Sequence, residues 1–190
     1  MQYIYGLFSA FITMMLAWGS LIYFQLDRPT LMSQWVYDAY EKKIAIAEQI
    51  NEPKIVIVAG STALFGIDSA MLEEHFHMPV VNLGVNAGIL LPLTLHAAKT
   101  VLKGGDIALL PLEYPMYLYN GTPNVQVIDY IYARSPEFFW HLTLSEQLSI
   151  LWETTVNRLN EGYLARGGVP IAYGLYGAHK YRCVRRSDTD

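Results

Sequence analysis

The sequence predicts an α/β protein, a three-layer sandwich around a parallel sheet, preceded by one transmembrane helix. Three observations carry that expectation. Met1 to Leu26 contains no charged side chain. Further on come three short apolar runs rich in β-branched residues: Lys54 to Ala59 (KIVIVA), Pro79 to Leu83 (PVVNL) and Ile107 to Leu112 (IALLPL). The segments between them have helical spacing and Gly-rich ends, the alternation that builds right-handed βαβ units and a parallel sheet.

The chain has 190 residues, enough for one domain and an appendage. It is 53% hydrophobic and only 16% charged, where about 25% charge is usual for a soluble domain. Much of the excess lies in Tyr3 to Phe24. Its length as a helix, about 33 Å at roughly 1.5 Å per residue, matches a bilayer core of about 30 Å. Tyr3, Tyr5, Trp18 and Tyr23 lie towards its ends, where aromatic rings favour the interface. A cleavable signal peptide competes with this reading, but it needs a basic start, a short apolar core and a small-x-small site. No Lys or Arg precedes the run, the run is long, and Phe24-Gln25-Leu26 is a poor site. An uncleaved anchor over 1–26 is therefore expected. Its orientation is weakly encoded, because Arg28 stands beside Asp27 and Lys42 and Lys43 are at the edge of the range that counts.

Pro29 to Ile50 has helical spacing and leads away from the bilayer, and Asn51-Glu52-Pro53 ends it. Residues 27–53 thus form a juxtamembrane helix and linker, and 54–179 the α/β domain. The continuous run KIVIVA fits a strand buried on both faces. Asp68 or Ser69 caps a short helix over Ser69–Phe76. The second strand, PVVNL, leads to Gly84-Val85-Asn86-Ala87-Gly88, and Leu90 to Leu102 forms a helix closed by Lys103-Gly104-Gly105-Asp106 before the third strand. From Tyr114 aromatic residues become dense. Leu144 to Leu159 has the spacing of one amphipathic helix, 160–178 reads as Gly-rich loop, and 180–190 as a basic tail.

A net charge of −4 argues against nucleic acid, which needs a concentrated basic face. The one basic cluster, Lys180, Arg182, Arg185 and Arg186, reads as a solvated tail. Cys183 is the only cysteine, so an intrachain disulfide and a cysteine-rich metal site are both excluded. No cofactor or metal is expected.

Two loops carry candidate chemistry. Ser61 directly follows the first strand, where ligands of open α/β sheets bind and where backbone N–H groups face a developing oxyanion. The competing reading is that Ser61 and Thr62 only satisfy a turn. Asn82-Leu83-Gly84-Val85-Asn86-Ala87-Gly88 ends the second strand; its glycines allow close backbone approach, and an Asn amide can donate to an oxyanion. A plain strand-to-helix turn would look the same. Glu113, at the end of the third strand, either serves substrate or a base from the same crevice or pairs with an arginine at the rim.

Together these blocks resemble the SGNH hydrolase superfamily. The likeness is closest to its membrane-anchored bacterial branch, which includes alginate O-acetylation and D-alanyl-lipoteichoic acid biosynthesis proteins. Gly60-Ser61 to Gly66-Ile67-Asp68, then Asn82 to Gly88, then Gly105-Asp106 to Glu113-Tyr114 follow that branch's block order over residues 54–117. The resemblance implies a flavodoxin-like strand order and Ser61 as nucleophile, with the N–H of Ser61 and of Gly88 or Gly84 as oxyanion donors. It also implies a domain on the periplasmic or extracellular side of a bacterial inner membrane, acting as esterase or O-acyltransferase on an acylated envelope polysaccharide, with a membrane acyltransferase as partner.

Two departures stand beside this. The usual third-block Gly-x-Asn-Asp is replaced by Pro111-Leu112-Glu113-Tyr114, which leaves Asn86 as a candidate substitute. The late Asp-x-x-His that supplies the base is absent, and none of His75, His77, His96, His141 and His179 is favoured for the role. A serine hydroxyl is a weak nucleophile without an adjacent base. The alternative is therefore an inactive, degenerate or truncated SGNH-like subunit that binds glycan or a membrane partner. A small α/β binding protein that shares only the turns is a third possibility, which the block order disfavours.

Overall fold

The uncharged N-terminal run forms helix α1 (Gln2–Tyr23), which is long and apolar enough to cross a membrane. The computed structural model describes residues 2–164. His179, Cys183, the basic tail and most of the expected Gly-rich loop lie outside the described residues.

A tight turn through Asp27 leads to α2 (Leu31–Gln49). Strand β1 (Ile55–Ile57) then enters, followed by α3 (Ser61–Gly66) and α4 (Ser69–Phe76). Strand β2 (Val80–Asn82), a single 3-10 turn (Ala87–Ile89), α5 (Leu90–Val101) and β3 (Ile107–Leu109) complete the α/β part. Asp68 caps α4 as its sequence suggests, accepting the amides of Ala70 at 2.9 Å and Met71 at 3.3 Å.

The strands are parallel, in the order β2-β1-β3. Alternation along β1 divides its side chains between two faces. Val56 and Val58 pack with Ala47 of α2 and with Ala98 and Val101 of α5. Ile55, Ile57 and Ala59 pack with Ala63 of α3 and with Leu72 of α4. Helices thus cover both faces of β1 and β2. Strand β3 differs: Ile107 is 51% exposed and Leu109 43%. The described chain is mostly helical with a small parallel sheet, and the layers of the expected sandwich do not extend over β3.

Lys54 and Asp106 tie the far ends of the central strands. Their buried side chains meet at 2.8 Å, and Asp106 also accepts the amides of Lys54 and Lys103. Partial burial pushes the Asp106 carboxyl up, but the bonds from Lys54 and Lys103 outweigh it and hold the group below its ordinary value.

The second half corrects several expectations. The aromatic segment contains three helices, α6 (Tyr114–Tyr117), α7 (Val125–Arg134) and α8 (Pro136–Phe139). Asn124 caps α7, which buries Ile128, Tyr130, Ile131 and Tyr132. The single helix expected over Leu144–Leu159 is two, α9 (Leu144–Glu153) and α10 (Val156–Leu164). Two threonines divide them. Thr154 Oγ1 donates to the Ile150 carbonyl at 2.7 Å, and Thr155 Oγ1 accepts the Arg158 amide at 3.2 Å. Such local side-chain bonds compete with helix continuation. Residues 160–164, expected as loop, are helical.

Helix α2 is not a bare spacer. Val36, Ala39 and Tyr40 lie in the largest core cluster with Leu93 of α5, Ile128 and Ile131 of α7, and Ile22 of α1. The end of α1 is therefore fixed to the domain. Arg158 seals this junction: it pairs with Asp129, donates to Gln25 Oε1 at 2.9 Å and to the Arg28 carbonyl at 3.0 Å. Both partners of the ion pair are buried, and removing one leaves an uncompensated charge. We expect Asp129→Asn to cost about 3–5 kcal/mol, measured by denaturant unfolding of the detergent-solubilised chain. A loss under about 1 kcal/mol would show that water reaches Arg158.

Candidate functional site

The carboxyl ends of all three strands converge on one small region. In a sheet ordered β2-β1-β3 the chain winds to one side of β1 and then to the other, so the crevice expected of an open α/β sheet falls between the ends of β1 and β3. Gly60 and Ser61 stand at one lip of it and Glu113 at the other.

Gly60 makes the convergence possible. A Cβ there would lie 2.6 Å from the Ala87 nitrogen and 2.6 Å from Glu113 Oε1. Gly84 plays the same part from the β2 side, where a Cβ would fall 2.7 Å from the Gly60 carbonyl and 3.0 Å from Ala63 Cβ. Only hydrogen at these two positions lets the three loops touch.

Glu113 bridges the crevice. Its Oε2 accepts the Gly60 amide at 2.9 Å and its Oε1 accepts the Thr62 amide at 2.8 Å. The first amides of a helix have no intrahelical acceptor, and here a carboxylate from the neighbouring strand supplies one. Partial burial pushes the carboxyl up, but the Thr62 and Gly60 amides prevail and hold it below its ordinary value of 4.5. Neither earlier reading of Glu113 anticipates this, since its partners are backbone groups more than fifty residues away.

Ser61 is the first residue of α3 and is half-buried, between the two amides that Glu113 takes. Asn82 braces the loop by donating to the Ala63 carbonyl at 2.8 Å. The expected oxyanion donors are engaged: the Gly84 amide donates to Asn82 Oδ1 at 2.8 Å and the Gly88 amide to Asn86 Oδ1 at 2.7 Å. For Gly84 or Gly88 to receive an oxyanion, those bonds must exchange. Asn86 Oδ1 accepts the Gly88 amide, which turns the side chain so that its Nδ2 is the group able to donate to a ligand.

Among the described residues no histidine hydrogen-bonds to Ser61. His75 and His77 are exposed at the end of α4, where His75 stacks edge-on against Phe76 and His77 adopts the left-handed conformation that ends the helix. His96 packs against Phe138, with the His141 ring 6.0 Å away. Nor do the described residues contain a group of three side chains able to hold a metal ion. Compared with models of known protein families, with curated proteins and with solved structures, the chain finds no match.

The Glu113 clamp gives a signed pH dependence. Its folded-state pKa is depressed, so its stabilisation is complete above about pH 4.5 and fades as pH falls through the folded value. We expect Glu113→Gln to cost about 1–2 kcal/mol at pH 7, since the group is only half-buried. The gap from wild type should close on acidification, as read by thermal melts between pH 7 and pH 3. A gap that persists unchanged at pH 3 would contradict the clamp.

Proposed function

We propose that this chain is a membrane-anchored, SGNH-like esterase or O-acyltransferase acting on acyl groups of a bacterial cell-envelope polysaccharide. In this reading α1 spans the inner membrane, and the domain stands on the periplasmic or extracellular side as a three-layer SGNH-like sandwich. The observation that carries the proposal is the meeting of three motif loops at one crevice: Gly60-Ser61 after β1, Gly84 to Gly88 after β2, and Glu113 after β3. A serine at the first turn of the helix after the central strand is where an open α/β sheet presents a nucleophile.

The chemistry follows from that placement. Ser61 Oγ attacks the acyl carbonyl carbon as its proton passes to a general base, and the Ser61 amide donates to the resulting oxyanion. The carbon–oxygen bond to the sugar then breaks and the leaving alkoxide takes the proton. Water releases the acyl group from Ser61 in an esterase. In a transferase the donor in the first step is one supplied by a membrane acyltransferase partner, whose leaving group departs with the proton in place of the sugar. A sugar hydroxyl then takes the acyl group from Ser61 as its own proton returns through the base.

A non-catalytic SGNH-like subunit that binds glycan or a membrane partner is the second reading. One observation favours it: among the described residues Ser61 has no hydrogen-bonded base. Ester hydrolysis separates the two. With the full chain in detergent, p-nitrophenyl acetate and an O-acetylated polysaccharide are offered to wild type and to Ser61→Ala. The enzyme reading predicts turnover that falls at least on the order of 1,000-fold in the variant. Turnover absent from both proteins, or equal in both, supports the binding subunit.

A further inference from the structure

Helix α9 carries a second apolar face that no part of the described chain covers. Leu144 is 72% exposed, Leu148 53% and Trp152 86%, at spacings of four residues. At about 100° per residue these three and Leu151 fall within one sector roughly 100° wide, from which Glu146 and Glu153 are excluded. Ile150, on the opposite side of the helix, is buried in the core. An exposed apolar stripe of this kind, ending in an almost bare tryptophan, marks an interaction surface.

What covers the stripe follows from its neighbour. The Trp18 ring of α1 donates from Nε1 to the Leu151 carbonyl at 3.2 Å, so the C-terminal end of α9 lies against α1 at the level of Trp18. The apolar stretch of α1 runs from Tyr3 to Tyr23. A crossing helix needs about 20 such residues, so nearly the whole stretch is used and the bilayer reaches the turn around Ile22. Trp18 lies about 6 Å deeper along the axis. An interfacial helix sinks its apolar face about 5–10 Å into the boundary of headgroups and acyl chains. Leu151 borders the exposed stripe, so the C-terminal end of the stripe stands next to α1 at that level.

We propose that Leu144, Leu148 and Trp152 of α9 lie in the lipid interface beside α1, making α9 a second, in-plane membrane contact that holds the domain against the bilayer. The proposal rests on α1 spanning the membrane. It restricts the freedom of the crevice at Ser61: α1 is already fixed to the domain, and a second attachment through α9 sets the tilt of both against the bilayer.

The test uses the full chain carrying Cys183→Ser, with a single added substitution, Leu148→Cys, Trp152→Cys or Met71→Cys. Met71 is exposed on α4, which packs on β2. Each protein is labelled with an environment-sensitive fluorophore and placed in phosphatidylcholine–phosphatidylglycerol vesicles. The expected result is vesicle attachment that survives alkaline washing, with labels at 148 and 152 quenched by a shallow spin-labelled lipid several-fold more than at 71. Firm attachment with equal quenching at all three positions, and access of aqueous iodide to 148 and 152, would overturn the proposal and leave the stripe to a protein partner. Loss of the protein on alkaline washing would overturn the spanning of α1, and this proposal with it.

Discussion

The amides of Gly60 and Thr62, around the first turn of α3, need acceptors that the helix cannot give them, and Glu113 brings both from across the sheet. That requirement organises the rest of the crevice. The carboxylate must come close to the Gly60 backbone, so residue 60 carries no Cβ. The β2 loop must also pass within contact of Gly60, so residue 84 carries none either. Ser61 is then held with its amide between two that are already committed. The arrangement is self-sufficient, since Glu113 is a built-in anion at the start of α3. Either reading of the function has to accommodate that carboxylate.

How much of this is legible in the sequence depends on the range of the interaction. Strands β1 and β2 follow from their apolar runs, α5 from its period, and the Asp68 cap from a contact two or three residues away. Each is a local effect. Glu113 shows only as a polar residue at a strand end, because the amides it serves stand beyond two strands and three helices. The role of Asp106 is equally distant. In the sequence it shows only as the end of the turn before the third strand, yet it bonds Lys54 across the amino ends of β1 and β3. The helix α7 has a local signal, Asn124 before Val127, Ile128 and Ile131, but dense tyrosines dominate the segment. The division of α9 from α10 turns on Thr154 and Thr155, whose hydroxyls oppose the helical period continuing through them.

Helix α1 and the domain form one mechanical piece. Ile22 belongs to the domain core, the Asp27 amide donates to the Tyr132 carbonyl at 2.9 Å, and Arg158 grips both Gln25 and Arg28. A helix joined by a slack linker would let the domain rotate freely above the bilayer. Here the turn after α1 is bonded on both sides, so the orientation of α1 sets the orientation of the crevice.

The account stands on Ser61 being an activated nucleophile, and covalent trapping reads that property directly. The full chain, reconstituted in lipid, is exposed to a fluorophosphonate probe beside Ser61→Ala, and the adduct is located by peptide mass spectrometry. The account predicts one phosphonylated residue, Ser61, and no labelling in the variant. A folded, membrane-bound wild-type chain that takes up no probe would contradict it, and the crevice would then be a binding surface without a catalytic base.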